Sequence, residues 1–195
     1  MISCYTIIKK FAPEGYGSTL IPGSKFFYDG VTADHLADIV SNAAGISSHN
    51  YITERLLNPL GVEEFHYQPE GIDENGNIRI GGSIEMSIRD FTRLGQLWLN
   101  KGIWEGEQLI NSQYIEEAIT PSLNNLSYGY LWWLNREKRV EEAPISMYYA
   151  AGAFGQFCFV LPEQNMVIAT MGFDRESGPS QDPNEFWNIL TCVLP

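Results

Sequence analysis

"YYAAGAFGQFCFVLPEQNMVIATMG", residues 148–172, carries the pattern that decides the fold. Short runs of aromatic and β-branched residues are separated by turn-forming ones, which predicts successive antiparallel strands. Pro162-Glu163-Gln164-Asn165 is the connection of a hairpin. Just upstream, "SYGYLWWLN" (127–135) reads as another strand of the set, so neighbouring antiparallel strands are expected across 127–172. Just downstream, "PNEFWNILTCVL" (183–194) reads as a helix with Phe186, Trp187, Leu190 and Val193 on one face, expected to pack on one side of those strands.

Further upstream the hydrophobic period changes from two to that of a helix. "TADHLADIVSNAAG" (32–45) places Leu36, Ile39, Val40 and Ala43 on one face, with Thr32 as N-cap and Gly45 as stop. "SSHNYITERLLNPLG" (47–61) brings Ile52, Leu56 and Leu57 together and ends before Pro59. "MSIRDFTRLGQLWLNKG" (86–102) is the clearest helix. Ser87 and Asp90 form a capping box, Phe91, Leu94, Leu97 and Trp98 make the buried stripe, and Gly102 closes the end. Gly95 inside it costs about 1 kcal/mol relative to alanine, which suggests a close neighbour. "NSQYIEEAIT" (111–120) is a further short helix. Asn75-Gly76 marks a turn, and Gly81-Gly82 marks tight backbone. Helices, then a strand meander, then a closing helix define an α+β chain in which an antiparallel sheet is flanked by helices. Residues 1–24 read as irregular, and 195 residues suffice for one domain, 1–195.

Several classes of function fall away. With 24 acidic against 12 basic residues the chain carries a net charge of −12, which repels nucleic acid. His35, His49 and His66 form no metal-ligand spacing, and "GGSIEM" (81–86) lacks the lysine of a phosphate loop, so no metal and no cofactor is expected. Cys4, Cys158 and Cys192 give no disulfide framework, and Cys158 reads as a small core residue. The first residues hold too short an apolar stretch for a signal peptide, and no run reaches membrane-spanning length. The compartment is left open.

Four stretches, taken in order, carry a resemblance: "PGSKFFYDG" (22–30), "NPLGV" (58–62), "GGSIEMSIRDFTRLGQLWLNKGIWEGEQLI" (81–110) and the strand segment 148–172. Together they resemble the C-terminal part of the serine β-lactamase and penicillin-binding-protein family. The branch is the class C and esterase-like one, which includes 6-aminohexanoate-dimer hydrolases. The likeness runs from about Pro22 onward, and its most specific part is the stretch around Arg89-Asp90 with its Asn-Lys-Gly end. It implies an incomplete β-lactamase/transpeptidase-like fold and amide, ester or β-lactam acyl transfer. Such chemistry uses the serine of a Ser-x-x-Lys motif, a Tyr-x-Asn tyrosine that helps manage the serine's proton, and a Lys- or His-containing strand motif ending in glycine. An amide beside that glycine completes the oxyanion hole.

By this resemblance Tyr28 matches the motif tyrosine, the family's general-base position, and Gly30 stands where the asparagine would be. Ala153, Phe154 and Gly155 occupy the strand motif without its Lys or His, and the Gln156 amide falls at an oxyanion donor's place. The nucleophile is missing: before Tyr28, Ser3 is followed by Thr6 and Ser18 by Ile21, while Thr6-x-x-Lys9 lacks a helical context. An equally weighted reading makes Tyr28 an aromatic packed under the first helix with Phe26 and Phe27.

Two readings remain open on sequence. One is a hydrolase-family chain lacking the N-terminal nucleophile segment and inactive alone, whether truncated, degenerate or complemented by another polypeptide. The other is a non-catalytic module that keeps the fold to bind a ligand or protein. A small amide or ester ligand fits either. An uncovered apolar face or strand edge is expected, and with it a homo-oligomer or a complementing N-terminal segment; nucleic acid and membrane are not expected partners.

Overall fold

A computed structural model describes residues 23–28, 30–63, 65–67, 71–79, 84–171 and 182–191. In chain order the elements are α1 (Gly30–Ala44), α2 (Ser48–Ile52), β1 (Phe65–Tyr67), β2 (Ile84–Met86), α3 (Ile88–Leu99), β3 (Ile103–Trp104), β4 (Glu107–Gln108), α4 (Ser112–Ala118), β5 (Trp133–Leu134), β6 (Tyr148–Gly152), β7 (Gln156–Leu161), β8 (Met166–Thr170) and α5 (Pro183–Thr191). The chain divides into two units: residues 1–51 with 67–84, and residues 52–66 with 85–195.

The second unit is built on a four-stranded antiparallel sheet in the order β5-β6-β7-β8. β6 and β7 run in register from Tyr148↔Val160 to Gly152↔Gln156, and β7 and β8 from Phe157↔Thr170 to Leu161↔Met166. The expected hairpin is present: Asn165 takes a left-handed φ of 48° and its N–H bonds the Pro162 carbonyl at 3.2 Å. β7 is central, and Phe157–Leu161 are all buried. Phe157, Phe159 and Leu161 join Met147, Tyr149 and Trp187 in one cluster, so α5 lies on that face as its apolar stripe requires. Cys158 and Val160 point to the other face, where α3 packs on β7 and β8. A strand covered on both faces reads as a continuous apolar run. Val193 lies outside the described residues.

Gly95 explains itself here. A Cβ at that position would lie 2.5 Å from Cys158 Sγ and 2.6 Å from Val167 Cγ1, so its absence lets α3 sit close to the sheet. The start of α3 departs in detail from a capping box. Ser87 Oγ accepts from the Asp90 N–H at 3.1 Å, but the Asp90 carboxylate accepts the Ser87 hydroxyl and Arg93 Nη1, at 2.8 and 2.6 Å. Arg93 also donates to the Gly61 carbonyl, which ties the first turn of α3 to the "NPLGV" loop. The helix ends one residue earlier than expected. Lys101 is the first left-handed residue after the cap, with φ 52°, and Gly102 follows at φ 83°; the Lys101 and Gly102 N–H groups bond the Trp98 and Leu97 carbonyls. Gly102 is required for a second reason: a side chain there would run into the Ile110 carbonyl.

The run 127–135 is not one strand. Only Trp133–Leu134 pair with β6, and the preceding residues turn sharply, with Leu131 at φ 63°. Its rings pack with others instead: Trp98 on Trp132 at 4.7 Å and Tyr128 on Trp133 at 4.8 Å. Fully buried Asn135 shapes the following loop. Its side chain accepts the Val140 N–H and donates to the Val140, Ala143 and Pro144 carbonyls.

The second predicted helix is α2 followed by a π-helical turn, Thr53–Leu57, which places Leu57 in a cluster with Leu60, Val62 and Leu97. In the first unit the 73–77 turn forms as read: Asp73 Oδ1 accepts the Asn75 and Asn77 N–H groups and Gly76 has φ 77°. Gly81 and Gly82 lie outside the described residues. α1 starts at Gly30, so Thr32 is inside it and not its N-cap. Its burial is also turned relative to the expected face. Ala37 is buried, whereas Leu36 and Ile39 are 41% and 46% exposed. The bond from Asn77 Nδ2 to Asp38 Oδ1 at 3.0 Å fixes which side of α1 meets the 71–79 segment.

Candidate active site

The β6–β7 connection places four of the candidate residues. Gly152 and Gln156 are paired, and Ala153–Gly155 between them form a single 3₁₀ turn. A three-residue hairpin loop of this kind needs a left-handed residue at its end, and Gly155 supplies it with φ 73°. Gly155 is also buried against α5: a Cβ there would strike the Phe186 ring. Thr170 holds the same turn from β8. Its hydroxyl donates to the Gly155 carbonyl at 2.9 Å and accepts the Phe157 N–H at 3.2 Å. The peptide is trans and planar, so with its carbonyl held toward β8 the Gln156 N–H points the other way. Ala153 and the Gln156 side chain are exposed. The roles of Thr170 and Phe186 escaped the sequence reading, because a threonine at a strand end signals nothing until the register sets it opposite Phe157.

Tyr28 and Gly30 belong to the first unit. Tyr28 follows a bend and directly precedes the α1 region, and Gly30 is the first residue of α1. Tyr28 is 57% exposed and Phe27 56%, with Phe26 alone half-buried. Tyr28 is thus not a fully buried ring.

Other reactive groups near the sheet are unsuited to nucleophilic work. Burial pushes the Cys158 thiol up to about 12, which keeps it protonated at neutral pH. Burial likewise raises the Tyr148 phenol well above its ordinary value, and pushes Tyr149 up to about 12. Ser48 is fully buried, with its hydroxyl accepting the Ile78 N–H at 3.0 Å and donating to Asn77 Oδ1 at 3.4 Å, so it closes a loop in the first unit. Among the described residues no three His, Cys, Asp or Glu side chains converge as metal ligands, and no helix is long and apolar enough to cross a membrane.

An antiparallel sheet with one helix on each face, closed by a glycine-bearing strand turn, is the architecture of the β-lactamase/transpeptidase class. A sequence model of the β-lactamase family matches residues 7–188, and the chain belongs to that family. A search of curated proteins finds no match. Among solved structures, the chain is similar to a Bacillus anthracis protein assigned as a 6-aminohexanoate-dimer hydrolase, with 26% identity and a TM-score of 0.70 over 90% of this chain and 45% of that one. It is also similar to an octameric penicillin-binding protein homologue from Pyrococcus abyssi, with 18% identity and a TM-score of 0.68 over 91% and 44% of the two chains. A penicillin-binding protein from Bacillus halodurans gives 17% identity and a TM-score of 0.68 over 96% and 63%. The chain thus spans about half the length of the first two and under two thirds of the third.

Proposed function

We propose that this chain is a C-terminal portion of a β-lactamase-related serine hydrolase and does not catalyse acyl transfer alone. Residues 1–195 are read as one β-lactamase-like domain without its nucleophile segment, a reading supported by a single family match that runs through both units. The observation that carries the proposal is in the sequence: no serine of the chain has a lysine three residues on. Acyl transfer needs an activated nucleophile, a base and an oxyanion hole together. The β6–β7 turn supplies an amide at Gln156 and a glycine at Gly155, and Tyr28 supplies a phenol. The strand positions Ala153 and Phe154 bring no lysine or histidine to that turn. Removing one oxyanion donor from a complete site costs about 2.7–4 kcal/mol, and a donor alone cannot replace the nucleophile. Any substrate of a complemented enzyme would be a small amide, ester or β-lactam.

The test incubates the purified chain with a chromogenic β-lactam, a p-nitrophenyl ester and a fluorophosphonate probe. The expected result is no turnover and no stoichiometric label. Labelling of one serine, or turnover lost in Tyr28→Phe, would show that a nucleophile is present after all.

A further inference from the structure

Asn184, in the first turn of α5, is a poor helix former whose side chain reaches outside its helix. Its Nδ2 donates to the Arg139 carbonyl at 2.9 Å, and its Oδ1 accepts the Glu141 N–H at 3.0 Å. At the helix start its N–H and Nδ2 also donate to Asp182 Oδ1, at 2.9 and 2.8 Å. The two loop residues it grips flank Val140, a fully buried residue whose N–H and carbonyl are both bonded by the Asn135 side chain. The anchor is therefore fixed to the core. Trp187, three residues on and so on the same side of α5, is buried near Phe159, with ring centroids 6.0 Å apart. Two attachments on one side set the rotation of α5 about its axis. That rotation carries Phe186 to the β6–β7 turn, where its ring tip fills the place of a Gly155 side chain and its centroid lies 5.1 Å from that of Phe157.

We infer that Asn184 is a positioning residue for the 153–156 turn, acting through Phe186; this rests on reading that turn as part of the candidate site. Gly155 has φ 73° and no side chain to brace it, so the turn takes its shape from its neighbours. Thr170 holds the Gly155 carbonyl from β8, and Phe186 fills the space beside its Cα from α5. The Thr170 bond fixes the carbonyl oxygen but not the path of the chain before it. The ring supplies the second support, and it stays in place only while α5 keeps its rotation. Losing the Asn184 side chain leaves the Arg139 carbonyl and the Glu141 N–H without this partner and removes the attachment at the first turn. The core contacts of Trp187 remain, but the helix can turn about them, and the ring moves off Gly155.

The experiment reads nuclear magnetic resonance spectra of the isotope-labelled chain. In the unaltered chain the Phe186 ring protons should show a nuclear Overhauser effect to the Gly155 α protons. Asn184→Ala should abolish it and shift the Gly155 and Gln156 amide resonances, while those of Val160 and Val167, on the α3 side of the sheet, hold theirs. Phe186→Leu should shift the same two resonances, and adding Asn184→Ala to it should shift them no further. Unchanged Gly155 and Gln156 resonances in Asn184→Ala overturn the inference. So do shifts that spread to Val160 and Val167, and shifts that add in full in the double variant. If Asn184→Ala does not fold, residue 184 serves the whole fold, which also overturns the inference; if only the double variant does not fold, the single variants decide. None of these readouts needs turnover, so a serine labelled by the fluorophosphonate would overturn the proposed inactivity and leave this result standing.

Discussion

Gly95 shows how one missing side chain sets a distance. Alanine is the better helix former by about 1 kcal/mol, yet its Cβ would sit 2.5 Å from Cys158 Sγ and 2.6 Å from Val167 Cγ1. Overpacking of this kind costs about 1–3 kcal/mol, so the clash outweighs the propensity. Gly95→Ala should lower stability in urea by up to about 2 kcal/mol net, and Cys158→Ala in the same molecule should recover part of it. A glycine interrupting a buried helical stripe was legible as a close approach; which atoms approach was not, because they come from strands more than 60 residues away. The exposure of Tyr28 was not legible. An aromatic run such as "FFY" suggests burial, and whether any chain covers it is a tertiary property.

At the scale of elements, periodicity found α1, α3, α4 and α5 but did not always find the face that is buried. In α3 the stripe is strong and its cap residues fix the start. In α1 the apolar stripe is left exposed at Leu36 and Ile39, because the polar Asp38–Asn77 bond decides which side meets the 71–79 segment. The stretch 127–135 misled for a related reason: aromatic content suggests a strand, yet these rings serve ring-on-ring packing around a turn. The end of α3 gives a direct test. Lys101 is held at φ 52°, a region costing a non-glycine residue roughly 1 kcal/mol. Its ion pair with Glu116, at 3.2 Å, joins two mostly exposed side chains and adds little. Lys101→Gly should therefore raise stability by about 0.5–1 kcal/mol, read as a higher thermal midpoint. Gly102→Ala should lower it, because of the Ile110 carbonyl.

For the whole molecule, the sheet's two buried faces set the response to alkali. Burial raises the Cys158 thiol from 9.0 to about 12, and raises the Tyr148 and Tyr149 phenols above 10.0. In the unfolded chain these groups ionise near their ordinary values. As pH climbs past 9 the unfolded state sheds protons that the folded state keeps, so stability is full below about pH 9 and falls above it until the folded groups ionise too. Urea titrations between pH 8 and 11 should show this decline, and Cys158→Ala should make it shallower at its lower end. A flat profile would mean that water reaches β7. The fold class was legible because strands β6, β7 and β8 announce themselves by composition and turn chemistry. The surroundings of the candidate 153–156 turn were not legible, since Thr170 and Phe186 act on a turn that neither adjoins in sequence.

The meander also has a kinetic consequence. β6, β7 and β8 follow one another through connections of only 153–155 and 162–165, so their pairing closes short loops and needs little search. Docking α3 is the long-range step, because it brings residue 95 to residues 158 and 167. Hairpins should therefore form early and the helix should settle late. Stopped-flow measurements on Gly95→Ala should then find faster unfolding and a nearly unchanged refolding rate, so the close approach guards how long the folded state lasts and not how quickly it is reached.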